Sequence, residues 1–207
     1  MSEGAGEAAW LESLWAGQFG DRYMERNRGA GVGREAFWTR VLGQYPCRNA
    51  LEVGCNIGAN LEWIAARLGA RETYGVEINE GAVEEARRRI PGVAVLWAPA
   101  RDLPFRDRRF DLVFTTGVLI HQPPAVLPIV MAEIVRCSNR YVLCGEYYAS
   151  EPTEIPYRGE SGALFKRDFG RLYQELFPEL TLLESGFLPK EEGPWDDVTL
   201  WVFEKSR

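Results

Sequence analysis

Two carboxylates bracket a glycine-bearing loop at a spacing suited to holding a nucleoside cofactor. The segment LEVGCNIGANL, residues 51–61, follows a short apolar run and leads into a helical pattern, which is the setting a nucleotide-binding loop needs. Gly54 and Gly58 let the backbone turn sharply and approach a ligand without a Cβ in the way. A dinucleotide fingerprint, G-x-G-x-x-G/A, would need glycine at 56, where the chain has Asn56. The pattern acid-x-Gly-x-Gly-x-Gly is met at Glu52, Gly54 and Gly58. Asn56 departs from it but tolerates positive φ better than most residues. A carboxylate at 52 suits a ligand ammonium and repels a pyrophosphate. Glu77, followed by Ile78, closes the next apolar run and can accept from both hydroxyls of a ribose. An ammonium, a ribose and no pyrophosphate together describe S-adenosylmethionine (SAM), with S-adenosylhomocysteine (SAH) as its product.

The next segments supply candidates for the rest of such a site. In WAPARDLPF, Pro99 stands where an acid commonly receives the adenine amino group, so the Ala100 backbone and the Arg101 side chain are the remaining candidates for that contact. FDLVFTTGVLIHQPP runs off an apolar strand and brings Thr116 and Gly117 to the cofactor crevice. It also carries His121, the one histidine of the chain. Near neutral pH a histidine there can take a proton from an acceptor hydroxyl, amine or acid; the competing reading is a structural histidine. GEYY ends the following strand. Tyr147 is a candidate helper for His121 and Tyr148 a candidate acceptor contact, and alternation keeps the two off one face.

These segments are placed by a regular alternation of elements. Apolar strands at NALEVG, TYGVEI, VAVLW, RRFDLVFTTG and RYVLCGEYY are separated by helical patterns at 58–68, NEGAVEEARRRI and 124–136, the last with Pro123 and Pro124 suited to its first turn. RDFGRLYQELF reads as a helix. LTLLESGF and DVTLWVFEK are two final strands, joined by Leu188–Asp197 with no room for a helix. The expectation is an α/β, Rossmann-like, seven-stranded, mostly parallel sheet with one antiparallel strand, in one domain overall. Residues 1–45 read as a helical cap or lid, with Trp10, Leu14 and Trp15 on one face and a glycine-rich hinge from Gly29 to Gly33. Residues 46–207 form the core, with an aperiodic loop at 149–166 on the active side.

Composition narrows the partners. The chain has 207 residues, is 46% hydrophobic and carries a formal net charge of −6. Nucleic-acid binders relying on phosphate neutralisation are usually basic, so none is expected as partner. The N-terminus lacks a basic region and an apolar run, and no stretch is long enough to span a membrane. Four cysteines without a C-x-x-C pair predict neither a disulfide framework nor a metal site, and fit a cytoplasmic location. A monomer or a homodimer is compatible with the pattern.

Together the segments WAGQFGDRYMERN (15–27), LEVGCNIGANL (51–61), YGVEINEGAV (74–83), FDLVFTTGVLIH (110–121), SNRYVLCGEYY (138–148), PYRGESGALFKRDF (156–169) and DDVTLW (196–201) resemble the pseudaminic acid biosynthesis-associated methylase family of class I SAM-dependent methyltransferases. The resemblance covers nearly the whole chain. It implies methyl transfer to a small acceptor, a nonulosonic (sialic-acid-like) sugar or its precursor. It also implies that Tyr23 and Asn27 belong to a lid over SAM, and that Arg158, Lys166 and Arg167 belong to an acceptor-contacting insert. The residues leave alternatives open: a methyltransferase of an amino acid, peptide or other natural product, a non-catalytic SAM-binding protein, or an NAD(P) oxidoreductase.

Overall fold

The structure, a computed structural model, describes residues 3–29 and 31–206. Seven strands form one sheet in the order β3-β2-β1-β4-β5-β9-β8. They are β1 (Ala50–Val53), β2 (Thr73–Glu77), β3 (Ala94–Trp97), β4 (Phe110–Thr116), β5 (Ser138–Glu146), β8 (Leu180–Leu188) and β9 (Val198–Lys205). Strands β1 to β5 pair in parallel, and β9 lies antiparallel to both β5 and β8. This is the expected α/β architecture. The nine-residue link into β9 makes its reversal possible, since parallel strands need a longer crossover.

Both faces of the sheet are covered, which is why β1 is buried along its whole length. Helices α3 (Glu35–Gln44), α4 (Leu61–Leu68) and α5 (Glu80–Arg89) pack Trp38, Val41, Leu61, Ile64, Val83 and Ala86 on one side. Helices α6 (Leu127–Cys137) and α7 (Phe169–Leu176) pack Val130, Met131, Ile134, Phe169 and Tyr173 on the other. Along β5, Tyr141 and Leu143 serve the first layer and Val142 and Cys144 the second, the two-residue period of a strand. Caps set the helix starts: Asn79 accepts from the Ala82 N–H at 2.8 Å and Asp168 from the Arg171 N–H at 2.9 Å. The Arg87-Arg88-Arg89 run sits in the last turn of α5, where cations oppose the helix dipole.

Local chemistry shifts several boundaries. The helix expected from residue 58 starts at Leu61, because Gly58 has φ 76° and cannot be helical. The helix expected over 124–136 runs from Leu127 to Cys137. Pro128, rather than Pro123 or Pro124, sits in its first turn, and the Pro123 carbonyl accepts from the Val126 and Leu127 N–H groups. In α1 (Glu3–Ala16) the buried face runs through Ala8 and Leu11, while Trp10 is exposed. Helix α2 (Gln18–Arg26) follows it directly. Within 149–166 the chain forms a small hairpin, β6 (Thr153–Glu154) with β7 (Phe165–Lys166). No described helix is long and apolar enough to cross a membrane.

Candidate functional site

The carboxyl ends of β1, β2 and β4 open into a cavity of about 420 Å³ that α1 and α2 also line. That size encloses a drug-sized ligand. Glu52, at the end of β1, is buried in its floor. Its Oε1 accepts from Asn60 Nδ2 at 2.6 Å, while its Oε2 is buried with no partner among the described residues. The Asn60 amide has only one orientation compatible with its neighbours. Its Oδ1 accepts from Arg34 Nη1 at 2.9 Å and Trp38 Nε1 at 3.2 Å, and both of these only donate. Nδ2 therefore faces Glu52 and also donates to Thr116 Oγ1 at 2.9 Å. Burial pushes the Glu52 carboxyl up to about 8, against the lowering pull of Asn60 and Arg34.

Glu77, at the end of β2, is held by the backbone around it. Oε2 accepts from the Asn56 N–H at 2.9 Å, and Oε1 from the N–H groups of Ile78 at 2.8 Å and Asn79 at 3.0 Å. Burial raises this carboxyl, and the three amides oppose the rise. The loop between the two acids needs left-handed backbone: Gly54 has φ 72° and Asn56 φ 47°. Gly54, Asn56 and Ile78 line the cavity. Gly58 does not. A Cβ there would meet Ile90 Cδ1 at 2.7 Å, so this glycine serves the close packing of the loop on α5 rather than ligand contact. Ala100, Arg101, Thr116 and Gly117 also line the cavity. Arg101 is ion-paired with Glu12 of α1, which fastens that helix over the β3 side.

The far end of the cavity is aromatic. His121 lies on a single helical turn after β4 and is buried, its ring 4.5 Å from Trp15 and 5.3 Å from Tyr157. Its Nδ1 is 2.6 Å from the Ala163 carbonyl, which can only accept, so Nδ1 carries the proton and Nε2 the lone pair. Burial pushes the imidazole down to about 4, so it is neutral throughout the physiological range instead of titrating near neutrality as expected. Tyr147 lines the cavity and donates to Asp196 Oδ2 at 2.9 Å. Burial and that carboxylate push its phenol far up, so it holds its own proton and positions rather than abstracts. Tyr23 and Asn27, from α2 and its C-terminus, also line the cavity. Burial lifts the Tyr23 phenol to about 12, and Asn27 Nδ2 donates to the Tyr23 carbonyl at 2.8 Å.

Arg158 reaches the cavity; Tyr148, Lys166 and Arg167 do not line it. Tyr148 is half-exposed, its ring 6.2 Å from Trp201. Lys166 lies 5.7 Å from the Tyr147 ring centroid, behind the wall. Arg167 is buried in the hairpin base, over Phe165 and bonded to the Gln122 carbonyl at 3.0 Å. Conversely, Arg34, Asn60, Tyr157, Trp195 and Asp196 line the cavity without having been singled out from sequence. Arg34 lies 4.2 Å from the Trp195 ring centroid, and its Nε is buried without a partner among the described residues.

Glu146, at the end of β5, sets the wall that carries His121. It is fully buried and accepts from the Val118 N–H and the Ile120 N–H, each at 3.2 Å. Burial pushes its carboxyl up to about 7, and ionisation strengthens its hold on the two amides. The folded value lies above the ordinary 4.5, so the stability Glu146 contributes is full near pH 4.5 and lost as pH rises through about 7. The amide of Glu146→Gln can accept from only one of these donors and turns its own NH2 toward the other. This variant should lose about tenfold in kcat, keep its SAH affinity within twofold, and lose the pH dependence that Glu146 imposes near pH 7, as read from a kcat–pH profile.

Comparison with known proteins agrees with this geometry. Residues 50–140 match the family profile of a methyltransferase domain. The whole chain superimposes on a Burkholderia thailandensis 1,6-didemethyltoxoflavin-N1-methyltransferase with bound 1,6-didemethyltoxoflavin and SAH. The TM-score is 0.77 at 17% identity, over 100% of this chain and 92% of that one. This chain has the fold of that methyltransferase, and its residues 50–140 are similar to methyltransferase domains. The fold also matches a Synechocystis magnesium protoporphyrin IX methyltransferase with bound SAH, with TM-score 0.71 and 14% identity over 96% of this chain and 99% of that one. In sequence, the chain is 32% identical over 87 residues to a "probable S-adenosylmethionine-dependent methyltransferase" of Mycobacterium tuberculosis, covering 42% of this chain. It is 29% identical over 136 residues to the demethylmenaquinone methyltransferase of Beutenbergia cavernae, covering 62% of this chain and 56% of that protein. The matched stretch spans 31% of the length of the mycobacterial relative.

The residues of the cavity fit the ammonium, carboxylate and ribose of SAM. The partnerless Glu52 Oε2 suits the ammonium, and the partnerless Arg34 Nε belongs to a guanidinium suited to the carboxylate. Glu77 is rigidly presented, with acceptor capacity left on Oε2 for the ribose. Among the described residues, no group of three or more His, Cys, Asp or Glu is placed to hold a metal ion.

Proposed function

We propose that the protein is a SAM-dependent methyltransferase of a small-molecule acceptor. One observation carries the reading: Glu52, whose buried Oε2 has no partner among the described residues, lines the same cavity as Arg34, Glu77 and His121. When bound, SAM supplies an electrophilic methyl group on a sulfonium. This chain's part is orientation, exclusion of water and proton removal. Glu52, Arg34 and Glu77 hold the cofactor. Trp15, Tyr23 and Tyr157 wall the acceptor end. The hairpin carbonyl of Ala163 fixes the imidazole so that Nε2 receives the acceptor proton. Tyr147, anchored on Asp196, orients the acceptor from the other side.

Within that class, the resemblance over 156–169 favours a nonulosonic sugar or its precursor as acceptor, and the bound small molecule of the Burkholderia enzyme is consistent with a small acceptor. Helices α1 and α2 act as a lid, and four free cysteines suit a reducing, cytoplasmic setting. The test is SAH release from SAM across a panel beginning with carboxylated sugars and extending to amino acids. Acceptor-dependent SAH supports the reading; SAM binding with no turnover on any acceptor contradicts it.

The Glu52 assignment has a pH signature. Its folded-state value is raised above the unfolded one, so the stability it contributes is full near pH 4.5 and lost as pH rises through about 8. A ligand ammonium paired with the carboxylate relieves that loss. The rise in Tm produced by saturating SAH should therefore grow from pH 6 to pH 8. In Glu52→Gln that growth should vanish, as measured by differential scanning fluorimetry. An unchanged pH trend in the variant would remove Glu52 from the ammonium site.

A further inference from the structure

We propose that the acceptor carries an oxyanion, a carboxylate or a phosphate monoester, recognised by Arg26 and Arg158 of the cavity lining. This deepens the methyltransferase reading and rests on it.

The argument is a census of the charges lining the cavity. Four cations line it: Arg26, Arg34, Arg101 and Arg158. Four anions do as well: Glu12, Glu52, Glu77 and Asp196. Arg101 is taken by Glu12. Arg34 and Glu52 share Asn60 and face the two charged ends of the cofactor's amino-acid portion. Glu77 is occupied by backbone amides and the ribose. Asp196 is bonded to Tyr147 and ion-paired with Lys190 at 2.9 Å. Arg26 and Arg158 have no carboxylate partner among the described residues. Glu25, beside Arg26, is engaged by Arg28. Two guanidinium groups in a cavity whose carboxyl groups are otherwise committed are suited to an oxyanion, which a guanidinium can bind with paired N–H donors.

Their placement connects them to the reacting end. Arg26 lies 5.7 Å from the Tyr23 ring centroid and Arg158 lies 5.8 Å from that of Tyr157. Tyr23 packs on Trp15 at 5.2 Å and Tyr157 on His121 at 5.3 Å, and Trp15 and His121 touch each other. Arg158 thus lies one aromatic ring, and Arg26 two, from the proposed base. Arg158 is also held in an unusual way. Tyr157 and Glu160 exchange two backbone hydrogen bonds, of 2.9 and 3.0 Å, around Arg158 (φ 51°) and Gly159 (φ 90°). Both central residues of this two-residue hairpin are left-handed, a turn that selects Asn, Asp or Gly at its first position. An arginine there departs from local preference, and such departures cluster where side chains do chemistry or bind.

The experiment uses the full chain saturated with SAH and titrates four probes by calorimetry: N-acetylneuraminate and its neutral methyl ester, and mannose 6-phosphate and mannose. The expected result is that at least one anion binds ten or more times tighter than its neutral partner, and the stronger pair identifies carboxylate or phosphate. Arg158→Asn, which suits the turn better and so preserves the hairpin, should weaken that anion about tenfold. Arg26→Gln should do likewise, with SAH affinity within twofold in both. Equal binding of the neutral partners, survival of anion binding in both variants, or binding of neither anion overturns the proposal. Failure of the unsubstituted protein to bind SAH would instead overturn the cofactor reading on which the proposal rests.

Discussion

Glu77→Ala should bind SAH about 100-fold more weakly than the unsubstituted protein, close to 3 kcal/mol. Two effects combine. The ribose loses a charged acceptor, and hydrogen bonds to charged groups are each worth roughly 1.5–3 kcal/mol. In addition, the N–H groups of Asn56, Ile78 and Asn79 lose the carboxylate that shapes the loop between β1 and α4. Glu77→Gln separates the two effects. Its amide oxygen can keep part of the backbone pattern but presents no negative charge, so it should lie between the extremes. Calorimetry with SAH checks both variants, and an affinity within threefold of the parent in Glu77→Ala would remove this residue from the ribose site.

His121→Asn should lower kcat by about 100-fold while leaving SAH affinity within threefold. General base catalysis is typically worth roughly 10²–10⁴-fold. The low end is expected here, because an imidazole pushed down to about 4 is a weak base near neutrality. Asn retains a donor for the Ala163 carbonyl and so keeps the hairpin contact, which His121→Ala would lose along with the side-chain volume. The depressed value fixes the sign of the pH dependence. The lone pair of Nε2 is available above about pH 4, so His121 contributes no inflection between pH 6 and 9, where the raised carboxyls of Glu146 and Glu52 titrate instead. Its stability contribution follows the same shift: the folded value lies below the unfolded 6.5, so stability falls as pH drops from 6.5 toward 4 and is then level. Turnover of His121→Asn within threefold of the parent would exclude the base role.

The parts of this site legible in the sequence are those fixed by local geometry. Glu52 and Glu77 end buried strands, and strand ends plus a glycine-bearing turn can be located from a two-residue period and a φ requirement. The single antiparallel strand follows similarly, since the short link makes β9 reverse against β8. What depends on long-range packing was not legible. Arg34 and Trp38 reach Asn60 across 26 and 22 residues of chain, and no spacing rule connects them. The hairpin at 153–166 has no long apolar period. Nothing local distinguishes Arg158, at its tip and in the cavity, from Arg167, in its base and buried. His121 could be placed at the strand exit, but its protonation state depends on enclosure by Trp15 and Tyr157, from segments far away in sequence.

The most direct test of the central claim is calorimetric titration of the purified protein with SAM, SAH and NADH side by side. Micromolar binding of SAM and SAH with none of NADH is the predicted result. Binding of NADH alone, or of none of the three, would contradict the assignment of Glu52 and Glu77 and the function built on it.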